Sequence, residues 1–207
     1  MRVSDYQYDV FISYPRIGQT PDWVEEHFVP ALKHCVSLEL GREPEIYFDK
    51  RLALGTTWPV DLGEKLAQSR VLISLWTRNY LGSDWCDLEL AHMLARERET
   101  GLRSKENANG IVILIIVHDG DTIPHHLNKI QTVEIIDFFN PKMRKDGKKS
   151  ERFYDKLKKH AESIAELIEN APPWKPEWET QAADEFLALF DSVSPKAKNA
   201  RARFTEL

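Results

Sequence analysis

Short runs of β-branched and apolar residues recur along the chain, and between them the apolar positions take a helical spacing. The runs are 8–13 (YDVFIS), 45–48 (EIYF), 71–76 (VLISLW), 111–117 (IVILIIV) and 132–136 (TVEII). Three of them are near-continuous in hydrophobicity, which predicts strands buried on both faces of a parallel sheet. Amphipathic stretches at 21–40, 58–69 and 84–100 predict the helices between them. A further one at 151–170 carries Phe153, Leu157, Ala161, Ile164 and Ile168 at helical spacing. Strand alternating with helix predicts βαβ units with right-handed crossovers. The expected fold is α/β: a flavodoxin-like, doubly wound five-stranded parallel sheet with helices on both faces. Ligands of such sheets collect at the carboxyl ends of the strands, so the loops beginning at Tyr14, Asp49, Thr77 and His118 are where a site is expected.

The run Ala171-Pro-Pro-Trp-Lys-Pro-Glu cannot continue a helix and divides the chain. A short amphipathic helix is expected after it, at about 177–193, with Trp178, Phe186, Leu187 and Phe190. The final stretch, SPKAKNARARFTEL, has few apolar anchors. The expected organisation is one domain over 1–170, a helical extension over 171–193 and a basic tail or linker over 194–207, cut from a longer protein or frayed.

Composition narrows the functional classes. With 28 Lys and Arg against 33 Asp and Glu, the net charge is −5, without the basic field that holds nucleic acid. Two cysteines, Cys35 and Cys86, make no disulfide framework and fit a reducing compartment. The longest apolar run, 111–117, is strand-sized and far from a bilayer span, and the first ten residues lack the apolar block of a secretory signal. The expectation is a cytoplasmic protein with no membrane and no direct nucleic-acid partner.

The most informative segment is Ser83-Asp84-Trp85-Cys86-Asp87-Leu88-Glu89. Ser83 or Asp84 can cap a helix there, and Trp85 and Glu89, four apart, share one helix face. An aromatic surface beside a carboxylate suits a cationic, ring-bearing ligand. The same spacing also fits an aromatic core residue next to a solvated glutamate.

Three motifs then add a family resemblance. YDVFISY at 8–14 resembles the first box of the Toll/interleukin receptor (TIR) domain family. FDKRLALGTTW at 48–58 resembles its second box and BB loop, and SLWTRNYLGSDWCDLEL resembles its third strand, CC loop and third helix, with the WCxxE signature intact. The likeness spans about residues 6–170, with the motifs in order. In the enzymatic branch of that family the matching glutamate cleaves nicotinamide from NAD⁺, so the resemblance implies Glu89 as the catalytic residue and NAD⁺ as substrate, with no separate cofactor and no metal. One carboxylate suffices for that chemistry: nicotinamide leaves as a neutral molecule from a cationic N-glycoside, and the oxocarbenium-like ribose left behind needs charge and hydrogen-bond stabilisation.

The resemblance carries further positions with it. Tyr14 and Arg16 follow the first strand, where Arg16 can pair with a diphosphate or stand as a solvated loop charge. Asp49 and Arg51 begin the BB loop. Trp58 ends it, either to stack on a ring or to pack on the sheet at a helix start. Cys86 reads as a buried small residue rather than a nucleophile. The family also implies assembly with other TIR domains through the BB loop, as a homo-oligomer or filament, and a fused or separate sensor module. Pro15 departs from the family's first loop. Ala53-Leu54-Gly55 replaces the proline common in animal adaptors, and with the stretch 119–124 (DGDTIP) this resembles the prokaryotic branch, associated with antiviral defence. His118, His125 and His126 lack a metal-ligand spacing, and no GxGxxG, GxxxxGK[ST] or GxSxG occurs.

Overall fold

The computed structural model describes residues 6–49 and 58–193. Strands β1 (Tyr8–Ser13), β2 (Ile46–Phe48), β3 (Ser69–Trp76), β4 (Val112–Ile116) and β5 (Thr132–Glu134) form one sheet in the order β2-β1-β3-β4-β5. Every pairing is parallel, with Val10 opposite Ile46, Ser13 opposite Ser74, and Trp76 opposite Ile116. This is the flavodoxin-like order expected from the sequence. The chain leaves β1 in both directions, first to β2 and later to β3, so the strand order reverses between β1 and β3.

The three central strands are buried along nearly their whole length, which is why they read as continuous apolar runs. The edge strands β2 and β5 are shorter than their patterns predict. At β5, Ile135 still donates its N–H to the Ile116 carbonyl at 2.9 Å, but the chain then turns into a tight 3₁₀ turn at Ile136–Phe138.

The helices fall where the spacing places them, with one irregularity. The predicted helix over 21–40 is built as α1 (Thr20–Trp23), a π-helical turn (Val24–Phe28) and α2 (Val29–Leu40). Pro30 has no N–H to return to the preceding turn, and the widened turn lies immediately before it. Gly41, with φ of 64°, ends α2 in the left-handed conformation that suits glycine. The others are α3 (Trp58–Ala67), α4 (Asp84–Glu99), α5 (Lys148–Glu169) and α6 (Pro176–Val193). Right-handed crossovers put α2 and α5 on one face of the sheet and α3 and α4 on the other. Trp23, Phe28 and Phe153 interlock under α2 and α5, with ring centroids 5.6 to 6.5 Å apart.

The helix after the prolines is packed into the molecule. Ala182 of α6 lies so close to Gly63 of α3 that a Cβ on Gly63 would sit 2.7 Å from the Ala182 carbonyl oxygen. Trp178 lies over the Arg96 guanidinium at 4.3 Å and donates its indole N–H to Glu99 at 2.8 Å. Phe186 is fully buried and joins the main core.

Candidate active site

The carboxyl ends of β1 and β3 open onto a cleft of about 460 Å³ at the point where the strand order reverses. Its walls come from the loop after β1 (Tyr14, Arg16, Ile17), the end of β2 (Asp49), the start of α3 (Trp58) and the first turns of α4 (Trp85, Glu89). Six of the seven residues singled out from the sequence therefore share one cavity: Tyr14, Arg16, Asp49, Trp58, Trp85 and Glu89. Arg51, the seventh, lies outside the described residues, as does the central part of the BB loop.

Glu89 reaches the cleft because of how α4 begins. Ser83 caps the helix by accepting the Cys86 N–H at 3.4 Å, which fixes the first turn against the sheet edge. One turn further on, Glu89 is directed inward and is only 6% exposed, so it is not the solvated glutamate that spacing alone allowed. Burial pushes its carboxyl up to about 8, the nearby Asp49 acts in the same direction, and Ser13 and Arg16 oppose them.

The other buried acids provide a contrast. Asp9 accepts both Arg42 nitrogens, at 2.6 and 2.7 Å, and the Glu45 N–H at 2.9 Å. Glu97 accepts from Arg103 and from the N–H groups of Ile111 and Val112, at 2.7 to 3.0 Å. Both tie down the amino-terminal side of the sheet. Glu89 has no salt bridge among the described residues, and it is the buried carboxylate that faces a cavity.

The two indoles form one wall. Trp58 and Trp85 lie 4.5 Å apart, tilted by 59°, and Trp85 is backed by Phe186 of α6 at 6.1 Å. Trp58 therefore packs at a helix start and also lines the cleft. Arg16 is seated on Asp49: it pairs with the carboxylate and donates to the Asp49 carbonyl at 3.0 Å. Tyr14 donates its hydroxyl to that same carbonyl at 3.1 Å. Burial raises the Tyr14 hydroxyl to about 12, so it stays protonated and able to donate. Burial likewise pushes the Cys86 thiol up to about 12, which fits the small buried residue expected and not a nucleophile.

A profile of the TIR domain matches residues 10–158, most of the chain. This protein belongs to the TIR domain family. The TIR domain is 28% identical over 137 residues to Toll-like receptor 2 of Capra hircus, a stretch that is 62% of this chain and 15% of the receptor. A solved structure, described as the activated Roq1 resistosome directly recognizing the pathogen effector XopQ (TIR domains), is similar over 87% of this chain and 98% of that one, at 20% identity and a TM-score of 0.38. Among the described residues of the TIR domain, no helix is long and apolar enough to cross a membrane, and no group of three or more His, Cys, Asp or Glu is placed to hold a metal ion.

Two buried residues near Glu89, neither of them lining the cleft, were not singled out from the sequence. Ser13, the last residue of β1, and Tyr80, in the loop before α4, are both buried, with their hydroxyl oxygens 2.6 Å apart. Ser13 could have been found from the rule that sites gather at strand ends. Tyr80 sits in an irregular loop, where no periodicity marks a residue as inward-facing.

Proposed function

We propose that this TIR domain cleaves the bond between nicotinamide and ribose in NAD⁺, releasing nicotinamide and ADP-ribose or a cyclic isomer, with Glu89 as the catalytic carboxylate. The observation that carries the reading is Glu89 itself: a buried carboxylate without a salt bridge among the described residues, held in the wall of a cleft beside two indoles.

The chemistry follows from charge. The nicotinamide ring of NAD⁺ is cationic, and the Trp58 and Trp85 faces suit it. A cation in the cleft favours the ionised form of Glu89, so substrate binding draws the proton off the carboxyl that burial holds on it. As the glycosidic bond breaks, its electron pair leaves with neutral nicotinamide, and positive charge moves to the ribose. A carboxylate kept from water stabilises that charge more strongly than a solvated one. Arg16, carried on Asp49 at the rim, is the guanidinium available to a diphosphate.

The cellular setting proposed with this activity is defence, with the domain switched on by self-assembly through the BB loop and in response to a sensor module. The other reading is a non-catalytic adaptor that signals by homotypic assembly, since one fold hosts both roles. The test is nicotinamide release from NAD⁺ by the purified protein and by Glu89→Ala, at low and very high protein concentration. Release by the wild type is expected to rise with concentration and to fall by at least ~100-fold in the variant. An equally active, folded Glu89→Ala protein would remove the assignment. Silence of the wild type even when assembled would favour the adaptor.

A further inference from the structure

Behind the lining of the cleft lies a pair of buried hydroxyls. Ser13 closes β1 and is in register with Ser74 on β3. It is 1% exposed, and its hydroxyl is 2.6 Å from that of Tyr80, which is entirely buried. Tyr80 is held rigidly: its ring stacks on Trp76 at 4.8 Å and 22°. The Glu89 carboxyl lies within reach of the Ser13 hydroxyl, which favours its charged form. Two hydroxyls therefore lead to one carboxylate.

A serine hydroxyl has one proton to give, and its direction depends on its other partner. If Tyr80 donates to Ser13, the Ser13 proton is left for Glu89 or the Cys86 thiol, and of the two a carboxylate is the stronger acceptor. Neither hydroxyl has a packing reason to be polar in an otherwise apolar core, and each would cost free energy there without a partner. We propose that Ser13 and Tyr80 are positioning residues for Glu89: the Tyr80 hydroxyl donates to Ser13, and Ser13 donates to the Glu89 carboxylate while positive charge gathers on the ribose. This rests on the NAD⁺ reading of the site and adds to it the device that favours and aims the ionised carboxylate once the cationic substrate is bound. No proton is transferred along the chain.

The other ionisable groups around Glu89 are Asp49 and Arg16 at the rim, Tyr14 and Tyr47 from the β1 and β2 side, and Cys86 on its own helix. Tyr80→Phe leaves all of these groups in place and removes the hydroxyl while keeping the ring stacked on Trp76. Removing a donor from the charged form of a carboxyl raises its midpoint.

The experiment follows the Glu89 side-chain carboxyl by carbon NMR in protein labelled at glutamate, assigned with Glu89→Gln, between pH 5 and 10. Ser13→Ala and Tyr80→Phe are each expected to shift the midpoint upward, by about one pH unit for Ser13→Ala and roughly half that for Tyr80→Phe. The pH profile of nicotinamide release should move in the same direction. A midpoint unchanged in either folded variant overturns the proposal, and Tyr80→Phe decides alone if Ser13→Ala fails to fold. The NMR midpoint is independent of turnover. A shift in a protein that never releases nicotinamide would uphold the hydroxyl pair and remove the NAD⁺ reading instead.

Discussion

A carboxyl kept from water at the end of a cleft costs the folded state free energy, and Glu89 bears that cost at neutral pH. Its folded midpoint of about 8 lies above the unfolded value near 4.5, so between the two the native state holds a proton that the unfolded state has lost. Below the unfolded value both states are protonated and the cost vanishes. It grows as pH rises through 4.5 and levels off above 8. Glu89→Gln keeps the shape and removes the ionisation. The variant is expected to be more stable than the wild type at pH 8, by on the order of 2–4 kcal/mol, with the gain disappearing near pH 4. Urea titrations at the two pH values measure this, and an equal difference at both would refute it. At this scale the sequence was informative about Glu89 and Trp85, because helical spacing marks shared faces. It was silent on Ser13 and Tyr80, whose partnership joins a strand end to a loop 67 residues away.

At the scale of elements, strand and helix positions were legible because doubly buried strands and amphipathic helices leave opposite signatures. Their ends were less so: β5 stops where a 3₁₀ turn takes over, and the widened turn ahead of Pro30 has no simple spacing. The helix after the prolines was legible as a helix, but its place was not. That depends on Gly63, a residue whose lack of a side chain admits the α6 backbone. Gly63→Val puts two methyl groups into that contact and is expected to destabilise the protein by about 1–3 kcal/mol. Hydrogen exchange should show α6 losing protection first. Uniform loss of protection across the sheet, or none, would contradict a local contact. Since Phe186 backs Trp85, the same variant should also disturb the indole pair, which near-ultraviolet circular dichroism would reveal.

For the whole molecule, the sheet reversal gathers residues from four separate segments into one cleft, and α6 supports that cleft from behind. Seen as thermodynamics, α6 is a ligand that happens to be tethered. Its attachment is the packing of Trp178, Ala182 and Phe186, helped by hydrogen bonds from Tyr6 to the Pro172 carbonyl and from Trp174 to the Ala67 carbonyl, and the chain before it sets its local concentration. Severing that chain would make the stability of the domain depend on how much of the helix is present. A peptide of residues 171–193, added to a protein ending at 170, is expected to raise its melting temperature with the logarithm of peptide concentration, and a Trp178→Ala peptide to do so only at much higher concentrations. The fold would then obey mass action, as a receptor does.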